Sequence, residues 1–101
     1  MSYDIYLLRC ENNSIYTGIA KNYKERFEKH KKGEGAKYTR MYKPLRVEAV
    51  FSCKNRSEAS KIEKFIKSKT KKEKELYIRE EELLKDFVLK SMEIEITKKI
   101  F

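Results

Sequence analysis

The sequence is poor in cysteine, histidine, proline and glycine, and it contains no tryptophan. Its 101 residues include 2 cysteines, 1 histidine, 1 proline and 3 glycines. Cys10 and Cys53 are too few for a disulfide framework. Two separated cysteines and one distant histidine also do not have the close spacing of zinc ligands. We therefore expect reduced thiols and no structural metal.

Long hydrophobic runs are also missing. No apolar stretch approaches the roughly 18 residues that a membrane-spanning helix requires. The chain opens MSYDIYLLRC, where an acid and an arginine flank a short apolar run, and this is not the pattern of a signal peptide. We expect a soluble cytoplasmic protein without a membrane partner.

Acidic residues are outnumbered by basic ones, 16 against 25, and the formal net charge is +9. The chain is 40% hydrophobic, which is too apolar for a disordered polymer, and its length suits one domain with a modest core. The basic excess lies in residues 20–46, with ten basic and three acidic residues, whereas residues 79–101 have five basic and six acidic. Although many proteins are basic for solubility alone, this distribution favours nucleic acid as the partner.

Aromatic and branched residues predict a β-hairpin at the start of the chain. Residues 3–10 and 14–20 have strand composition, and the turn residues ENNS lie between them. Side chains alternate between the faces of a strand, so Tyr6 and Leu8 share a face. The segment LRVEAVFSC at 45–53 alternates from its first leucine and predicts a third strand.

A polar helix is predicted directly after the hairpin. Asn22 is suited to cap its first turn, and Gly33 should stop it after about Lys32. Helical periodicity places Arg26 and His30 on the same side. The next segment, GEGAKYTRMYKP, interleaves basic residues with tyrosines and suits a phosphate backbone as a loop or short helical turn.

A second helix is predicted over residues 55–69, with Ser57 as its N-cap. Glu63 lies at the edge of its apolar face and needs a partner there. Residues 71–78 predict a further short helix. The remaining residues predict a helix around EEELLKDFVLK and a strand within MEIEITKKIF.

This order of features resembles the GIY-YIG nuclease superfamily, and more closely its small stand-alone bacterial members. The first motif is present as Asp-Ile-Tyr at 4–6 and the second as Tyr-Thr-Gly at 16–18. An Arg-x-x-x-His helix, the basic stretch at 33–40 and an acidic helix at 59–63 follow in order. Asp4 stands where the first motif has glycine, and Thr17 stands where the second has isoleucine.

The resemblance implies an α+β fold in which helices flank a small three-stranded antiparallel sheet. It covers roughly residues 3–78, so we assign residues 1–78 to the nuclease-like domain. Residues 79–101 are then a C-terminal extension that packs on the same domain or at a subunit interface. We expect a monomer or a weak homodimer.

The resemblance also implies metal-dependent hydrolysis of phosphodiester bonds in DNA, with Mg²⁺ or Mn²⁺ as the cofactor. The substrate would be single-stranded, branched or damaged DNA, recognised by structure with weak sequence specificity. The catalytic residues implied are Tyr6, Tyr16, Arg26, His30 and Glu63. The substrate-binding residues implied are Gly18, Lys37, Tyr38 and Arg40.

Each catalytic residue type suits its implied role. Glu63 offers a hard oxygen ligand to the metal, and Arg26 offers a planar fork of donors to phosphoryl oxygens. Tyr16 would hold the attacking water or the phosphate. Tyr6 is the implied base, with His30 orienting it or relaying a proton. A tyrosine with a pKa of about 10 is a poor base unless the metal, Arg26 or His30 lowers that pKa.

Each of these residues also has an ordinary interpretation. The tyrosines could be core aromatics, Gly18 a turn glycine, Arg26 a solvated side chain, His30 a favourable helix-end cation and Glu63 an ion-pair partner. Their joint occurrence in order favours the nuclease. The alternatives are a non-catalytic nucleic-acid-binding module of the same fold and an adaptor that binds proteins through its tail.

Overall fold

A computed structural model describes residues 2–100, and Met1 and Phe101 lie outside it. Over this range the chain forms β1 (Tyr3–Cys10), β2 (Ile15–Ala20), α1 (Tyr23–Lys31), α2 (Lys37–Met41), β3 (Pro44–Cys53), α3 (Arg56–Lys67), α4 (Lys71–Arg79), α5 (Glu81–Met92) and β4 (Thr97–Lys98). No helix among these residues is long and apolar enough to cross a membrane.

The strands form one antiparallel sheet in the order β2-β1-β3-β4. Tyr6 in β1 lies opposite Gly18 in β2 and opposite Val50 in β3, while Leu8 lies opposite Tyr16. The predicted α+β class, with helices flanking an antiparallel sheet, is confirmed. The sheet has a fourth strand because the short β4 from the C-terminal segment pairs with β3. This leaves β2 at the opposite edge of the sheet.

Both faces of the sheet are covered. On one face, Ile5, Leu7 and Phe51 pack against buried residues of α3 and α5. On the other face, Tyr6 and Leu8 pack with residues of α1. The chain therefore has a helical layer on each side of the sheet, and the edge strand β2 lies between the two layers.

The C-terminal segment contributes to the larger of these two cores. Leu84 and Val88 of α5, followed by Ile94 and Ile96, are buried in the same cluster as Ile5. Residues 79–100 therefore cover part of the sheet that the first 78 residues build. The division of the chain at residue 78 stays a prediction.

Helix α1 begins as predicted, because the Asn22 side chain accepts hydrogen bonds from the backbone N–H groups of Lys24 and Glu25. The predicted cap of α3 was wrong. Asn55 caps this helix and accepts from the Glu58 N–H at 2.9 Å, whereas Ser57 already lies within the helix.

The start of β3 also departs from the predicted alternation. Leu45 is 56% exposed instead of facing the core. The pairing runs from Arg46 opposite Arg9 to Pro44 opposite Cys10, so Leu45 is the extra residue of an irregularity in the ladder. Such a bulge shifts the side chains on one side of it to the other face.

Candidate active site

A cleft of about 490 Å³ opens along β2, between α1 and α3. Four of the five predicted catalytic residues line it: Tyr6, Tyr16, Arg26 and Glu63. They come from β1, β2, α1 and α3 respectively. The fifth, His30, is buried next to Tyr6, and their ring centroids are 5.9 Å apart. The structure therefore brings all five predicted residues to one place.

The Tyr6 side chain depends on the glycine that faces it across the sheet. Tyr6 and Gly18 are directly opposite each other in the β1–β2 pair. A Cβ atom at position 18 would lie 2.5 Å from the Tyr6 hydroxyl oxygen and 2.6 Å from its Cζ. Only a residue without a side chain leaves room for the Tyr6 ring over β2. Gly18 lines the cleft, and its contact with substrate stays a prediction.

The Tyr6 hydroxyl lies at one end of a buried hydrogen-bond chain. Its oxygen is 3.0 Å from Nε2 of His30, and Nδ1 of His30 is 2.7 Å from Oγ1 of Thr39. The Thr39 hydroxyl donates to the carbonyl oxygen of Ala36 at 2.9 Å. A hydroxyl has a single proton to donate, so Nδ1 of His30 must donate to Thr39. In a neutral ring Nε2 then accepts, and the Tyr6 hydroxyl donates to it.

Burial controls the protonation of these groups. It lowers the pKa of His30 to about 4, and the positive charge of Arg26 acts in the same direction. Burial raises the pKa of Tyr6 far above its usual value, and Tyr16 adds to this rise. Arg26 acts to lower the Tyr6 pKa, but burial outweighs it. At neutral pH His30 is therefore neutral and Tyr6 is protonated.

Tyr16 has a similar environment. Burial raises the pKa of this phenol, and the negative charge of Glu63 raises it further, while Arg26 opposes both. The sequence suggested that neighbouring groups could lower a tyrosine pKa enough to make a base. The structure points to hydroxyls that stay protonated and that act as donors or through a proton relay.

Two residues that support His30 were not identified from the sequence. Thr39 fixes its tautomer, and Gly35 leaves space for its ring, because a Cβ at position 35 would overlap the imidazole. Both lie in the stretch that the sequence assigned to substrate. Their position in the order of motifs was the only feature of the sequence that could have pointed to them. Their contacts with His30 of α1 arise from the tertiary fold, so residue spacing does not indicate them.

The predicted substrate-binding residues of α2 lie outside the cleft. The Tyr38 ring is stacked with Tyr16 at 6.1 Å between centroids and 17° between planes, so it borders the cleft. Lys37 and Arg40 are exposed and do not line it. A substrate that reaches these two residues must extend past the cleft, and their contact with it stays a prediction.

Glu63 is the carboxylate that α3 places in the cleft. Its side chain is 20% exposed, and the partner that its position required is Lys67, whose Nζ lies 3.4 Å from Oε2 of Glu63. Arg56 and Ser60 also line the cleft and were not identified from the sequence. They lie seven and three residues before Glu63, so helical spacing could have found them.

The donor set restricts how a metal could be held. Residues 2–100 contain no group of three or more His, Cys, Asp or Glu side chains that could bind one. Glu63 is the sole carboxylate among the described residues that line the cleft. A single carboxylate suits Mg²⁺, which usually keeps several waters and takes one or two protein ligands. The residues present therefore fit one hydrated divalent ion at Glu63.

Comparison with known proteins identifies the family. The GIY-YIG catalytic domain family matches residues 2–78. The chain belongs to the GIY-YIG family. The predicted resemblance is thereby confirmed, and the family to which this GIY-YIG protein belongs is a family of nucleases that act on DNA.

Its relatives are small bacterial proteins. The chain is 51% identical to a UPF0213 protein of Fusobacterium nucleatum subsp. nucleatum over 75 residues, which is 74% of this chain and 75% of the relative. It is 39% identical to a UPF0213 protein of Staphylococcus aureus strain Mu3 over 79 residues, or 78% and 96% of the two chains.

A solved structure in this group shares the fold. The solution NMR structure of a UPF0213 protein from Bacillus halodurans is 34% identical to this GIY-YIG protein, with a TM-score of 0.51. The match covers 78% of this chain and 84% of that one. The names of these relatives state no activity.

Proposed function

We propose that this GIY-YIG protein is a divalent-metal-dependent endonuclease that hydrolyses phosphodiester bonds in DNA. One observation carries the proposal: Tyr6 lines the cleft with its hydroxyl oxygen 3.0 Å from Nε2 of His30, and two arginines and one carboxylate line the same cleft. These are the groups that proton removal from water, stabilisation of phosphoryl charge and metal binding require.

The proton relay starts at the attacking water. As the water oxygen bonds to phosphorus, its proton passes to the Tyr6 oxygen, and the Tyr6 proton passes to Nε2 of His30. The bond from phosphorus to the leaving oxygen breaks, the leaving oxygen takes a proton from solvent water, and His30 ends as the cation. This route needs no free tyrosinate, which burial of Tyr6 strongly disfavours.

Substrate binding makes His30 a better base. Arg26 is the second cause of the low pKa of His30, after burial. A phosphate in the cleft offsets the charge of Arg26, so it raises the pKa of His30 when the substrate is in place. The relay is therefore more favourable in the complex than in the free protein.

Arginine side chains support the phosphate. Arg26 presents a planar fork of donors to the equatorial oxygens, where charge develops in the transition state. Arg56, from the other wall of the cleft, adds a second cation that attracts the DNA strand. The Tyr16 hydroxyl donates a hydrogen bond to the phosphate or to the attacking water.

Glu63 would hold Mg²⁺ or Mn²⁺ through its carboxylate. When bound, such an ion neutralises charge on a phosphoryl oxygen and lowers the pKa of a coordinated water. Glu63 is available for this role, because its present ion pair with Lys67 is partly exposed, with 20% and 51% of the two side chains accessible. Pairs of this kind contribute little stability.

The cleft favours structure over base sequence. Its polar lining residues are suited to phosphate oxygens, and contacts to phosphates carry no sequence information directly. We propose single-stranded, branched or damaged DNA as the substrate, a monomer or weak homodimer as the active form, and the cytoplasm as its location.

The test is cleavage of labelled single-stranded, duplex and branched DNA with Mg²⁺, Mn²⁺ or EDTA. Glu63→Gln should abolish cleavage and leave DNA affinity equal or slightly higher, because it removes a metal ligand and a negative charge next to phosphates. The control is Glu82→Gln on α5, which makes the same change at a side chain that is 77% exposed. Cleavage by Glu63→Gln at the wild-type rate with Mg²⁺ would refute the metal assignment.

The second candidate is a nucleic-acid-binding module without turnover. The basic segment at 20–46 and the stacked tyrosines at 16 and 38 would serve binding equally well. Binding alone gives no reason for a carboxylate and a tyrosine–histidine pair at the phosphate. Tight DNA binding without cleavage in either metal would favour this candidate.

A further inference from the structure

A second cavity, of about 400 Å³, lies next to the cleft and shares Tyr16 with it. Lys67 of α3 and Lys71 and Lys74 of α4 line this cavity together with Thr17 of β2, and we call it the lysine pocket. None of these four residues lines the cleft. The pocket is therefore a separate basic site at the edge of the sheet.

The charge of the lysine pocket is only partly neutralised. Lys67 is paired with Glu63 at 3.4 Å, and Lys71 is 3.9 Å from Glu75. Lys74 is half-buried, and in the described part of the chain no carboxylate lies within 4.0 Å of its Nζ. Burial lowers the pKa of Lys74, and the positive charge of Lys67 acts in the same direction, while Tyr38 opposes them. An anion in the pocket would relieve both effects.

Thr17, one of the residues that line the pocket, has a buried hydroxyl. Thr17 is 2% exposed, and its Oγ1 has no hydrogen-bond partner among residues 2–100. Leaving a buried donor unpaired is destabilising. Thr17 stands where the GIY-YIG motif has an isoleucine, whose side chain has no polar atom. The hydroxyl is thus a donor that a ligand oxygen could satisfy.

The lysine pocket is connected to the cleft through two side chains. Tyr16 lines both cavities, and the Nζ of Lys67 lies 5.9 Å from the centroid of the Tyr16 ring. Lys67 is also the ion-pair partner of Glu63 in the cleft. A nucleic-acid strand with one phosphate in the cleft can pass over Tyr16 and bring another phosphate to the lysines.

We propose that the lysine pocket binds a second phosphate of the strand that is cut, with Lys74 as its charged contact and the Thr17 hydroxyl as its hydrogen-bond donor. The inference rests on the proposed function for the identity of the strand. The phosphate is either a backbone diester or a terminal monoester, and the two share the oxygens that the pocket recognises.

The first test compares two lysines of the same helix. Binding of a labelled single-stranded oligonucleotide is measured in EDTA at several salt concentrations for Lys74→Gln and for Lys72→Gln, which changes an exposed residue outside the pocket. Lys74→Gln should weaken binding several-fold and reduce the slope of log K against log salt by about 0.7, the value for one phosphate contact to a single strand. Equal effects of the two variants would overturn the proposal.

The second test removes the hydroxyl alone. Thr17→Val keeps the branched shape, so it should raise Tm by removing an unpaired buried donor, and it should weaken DNA binding several-fold. The Tm shows that the variant folds. A raised Tm with unchanged affinity would overturn the role of Thr17, since a hydroxyl that touches no ligand affects stability only.

Oligonucleotides with a 5′-phosphate, a 3′-phosphate or neither identify the source of the phosphate. A larger loss for Lys74→Gln on one phosphorylated strand supports a terminal monoester in the pocket, and equal losses on all three support a backbone diester. Binding in EDTA requires no cleavage, so the two proposals fail separately. If the wild type cleaves DNA but Lys72→Gln and Lys74→Gln weaken DNA binding equally, the pocket proposal alone is overturned. If Lys74→Gln weakens binding more than Lys72→Gln but the wild type does not cleave DNA, the nuclease proposal alone is overturned.

Discussion

At the level of single side chains, the site depends on how far each group is removed from water. His30 is 1% exposed, and its two ring nitrogens are used by Tyr6 and Thr39. A protonated imidazole would carry a positive charge in this buried position, close to the positive charge of Arg26. Burial and Arg26 both lower the pKa of His30 and so favour the neutral ring.

This environment predicts a pH dependence of stability. An unfolded histidine takes up its proton near pH 6.5, whereas His30 in the fold does so near pH 4. The unfolded state then binds more protons as pH falls, so stability present above about pH 6.5 is lost towards about pH 4, by up to about 3 kcal/mol. Urea unfolding at pH 7, 5.5 and 4.5 should show a smaller loss for His30→Gln than for wild type. Parallel losses in the two proteins would contradict a neutral buried His30.

Arg26 is expected to act mainly in the transition state. Arg26→Ala should lower kcat by on the order of 10², because a preorganised cation at developing phosphoryl charge contributes several kcal/mol. Arg26→Lys should restore little of it, since an ammonium does not reproduce the planar fork. Lys24→Ala, at an exposed position of the same helix, is the control. Full activity in Arg26→Lys would remove the two-donor role.

At the level of helices and strands, the parts that could be predicted are those with local causes. The hairpin, α1 and β3 followed from residue type and spacing, and Asn22 caps α1 as predicted. Leu45 departs from the pattern because of an irregular pairing with β1, and pairing is not encoded in the alternation of one strand. In the same way, the contact of Thr39 with His30 joins two helices across a loop, so no periodicity indicates it.

The pairing of β1 with β2 gives a prediction of its own. Gly18→Ala puts a Cβ 2.5 Å from the Tyr6 hydroxyl oxygen, so the Tyr6 side chain must move. A displacement of about 1 Å at a reacting group can cost on the order of 10² in rate. We expect a loss of that order in kcat. The double variant Gly18→Ala/Tyr6→Phe should be no slower than Tyr6→Phe alone, because both changes act through one hydroxyl. Additive losses would show that Gly18 has another role.

Across the whole molecule, the C-terminal segment is connected to the first strand through Asp4. This carboxylate is 1% exposed, accepts the backbone N–H of Tyr23 at 3.1 Å and is 3.0 Å from Nζ of Lys99. Asp4, which stands where the first motif has glycine, is therefore neutralised by Lys99 of the C-terminal segment. Nothing in the motif indicates this partner, because 95 residues separate the two. Because the buried apolar residues of this segment lie in the core and Lys99 is paired with Asp4, these residues are not available to bind another protein. This makes the adaptor alternative less favourable.

Removal of the tail should separate stability from chemistry. A chain that ends at Ile78 loses four buried side chains of the main core, Leu84, Val88, Ile94 and Ile96, and leaves the Asp4 charge without Lys99. We expect a much lower Tm or a changed oligomeric state, since a chain this short has little core to spare. Because every predicted catalytic residue precedes residue 79, specific activity per folded molecule should be retained.

A point variant isolates the ion pair from the lost core. Lys99→Gln in the full chain should lower stability by about 1–3 kcal/mol, because it leaves the buried Asp4 carboxylate without its partly exposed cation. Lys98→Gln, at the neighbouring position of β4, is the control.

Cleavage is normalised to the folded fraction measured by circular dichroism for both variants and for the truncated chain. If the truncated chain folds and binds the metal but does not cleave, part of the active site lies in the tail, and the assignment to Tyr6, Tyr16, Arg26, His30 and Glu63 is incomplete.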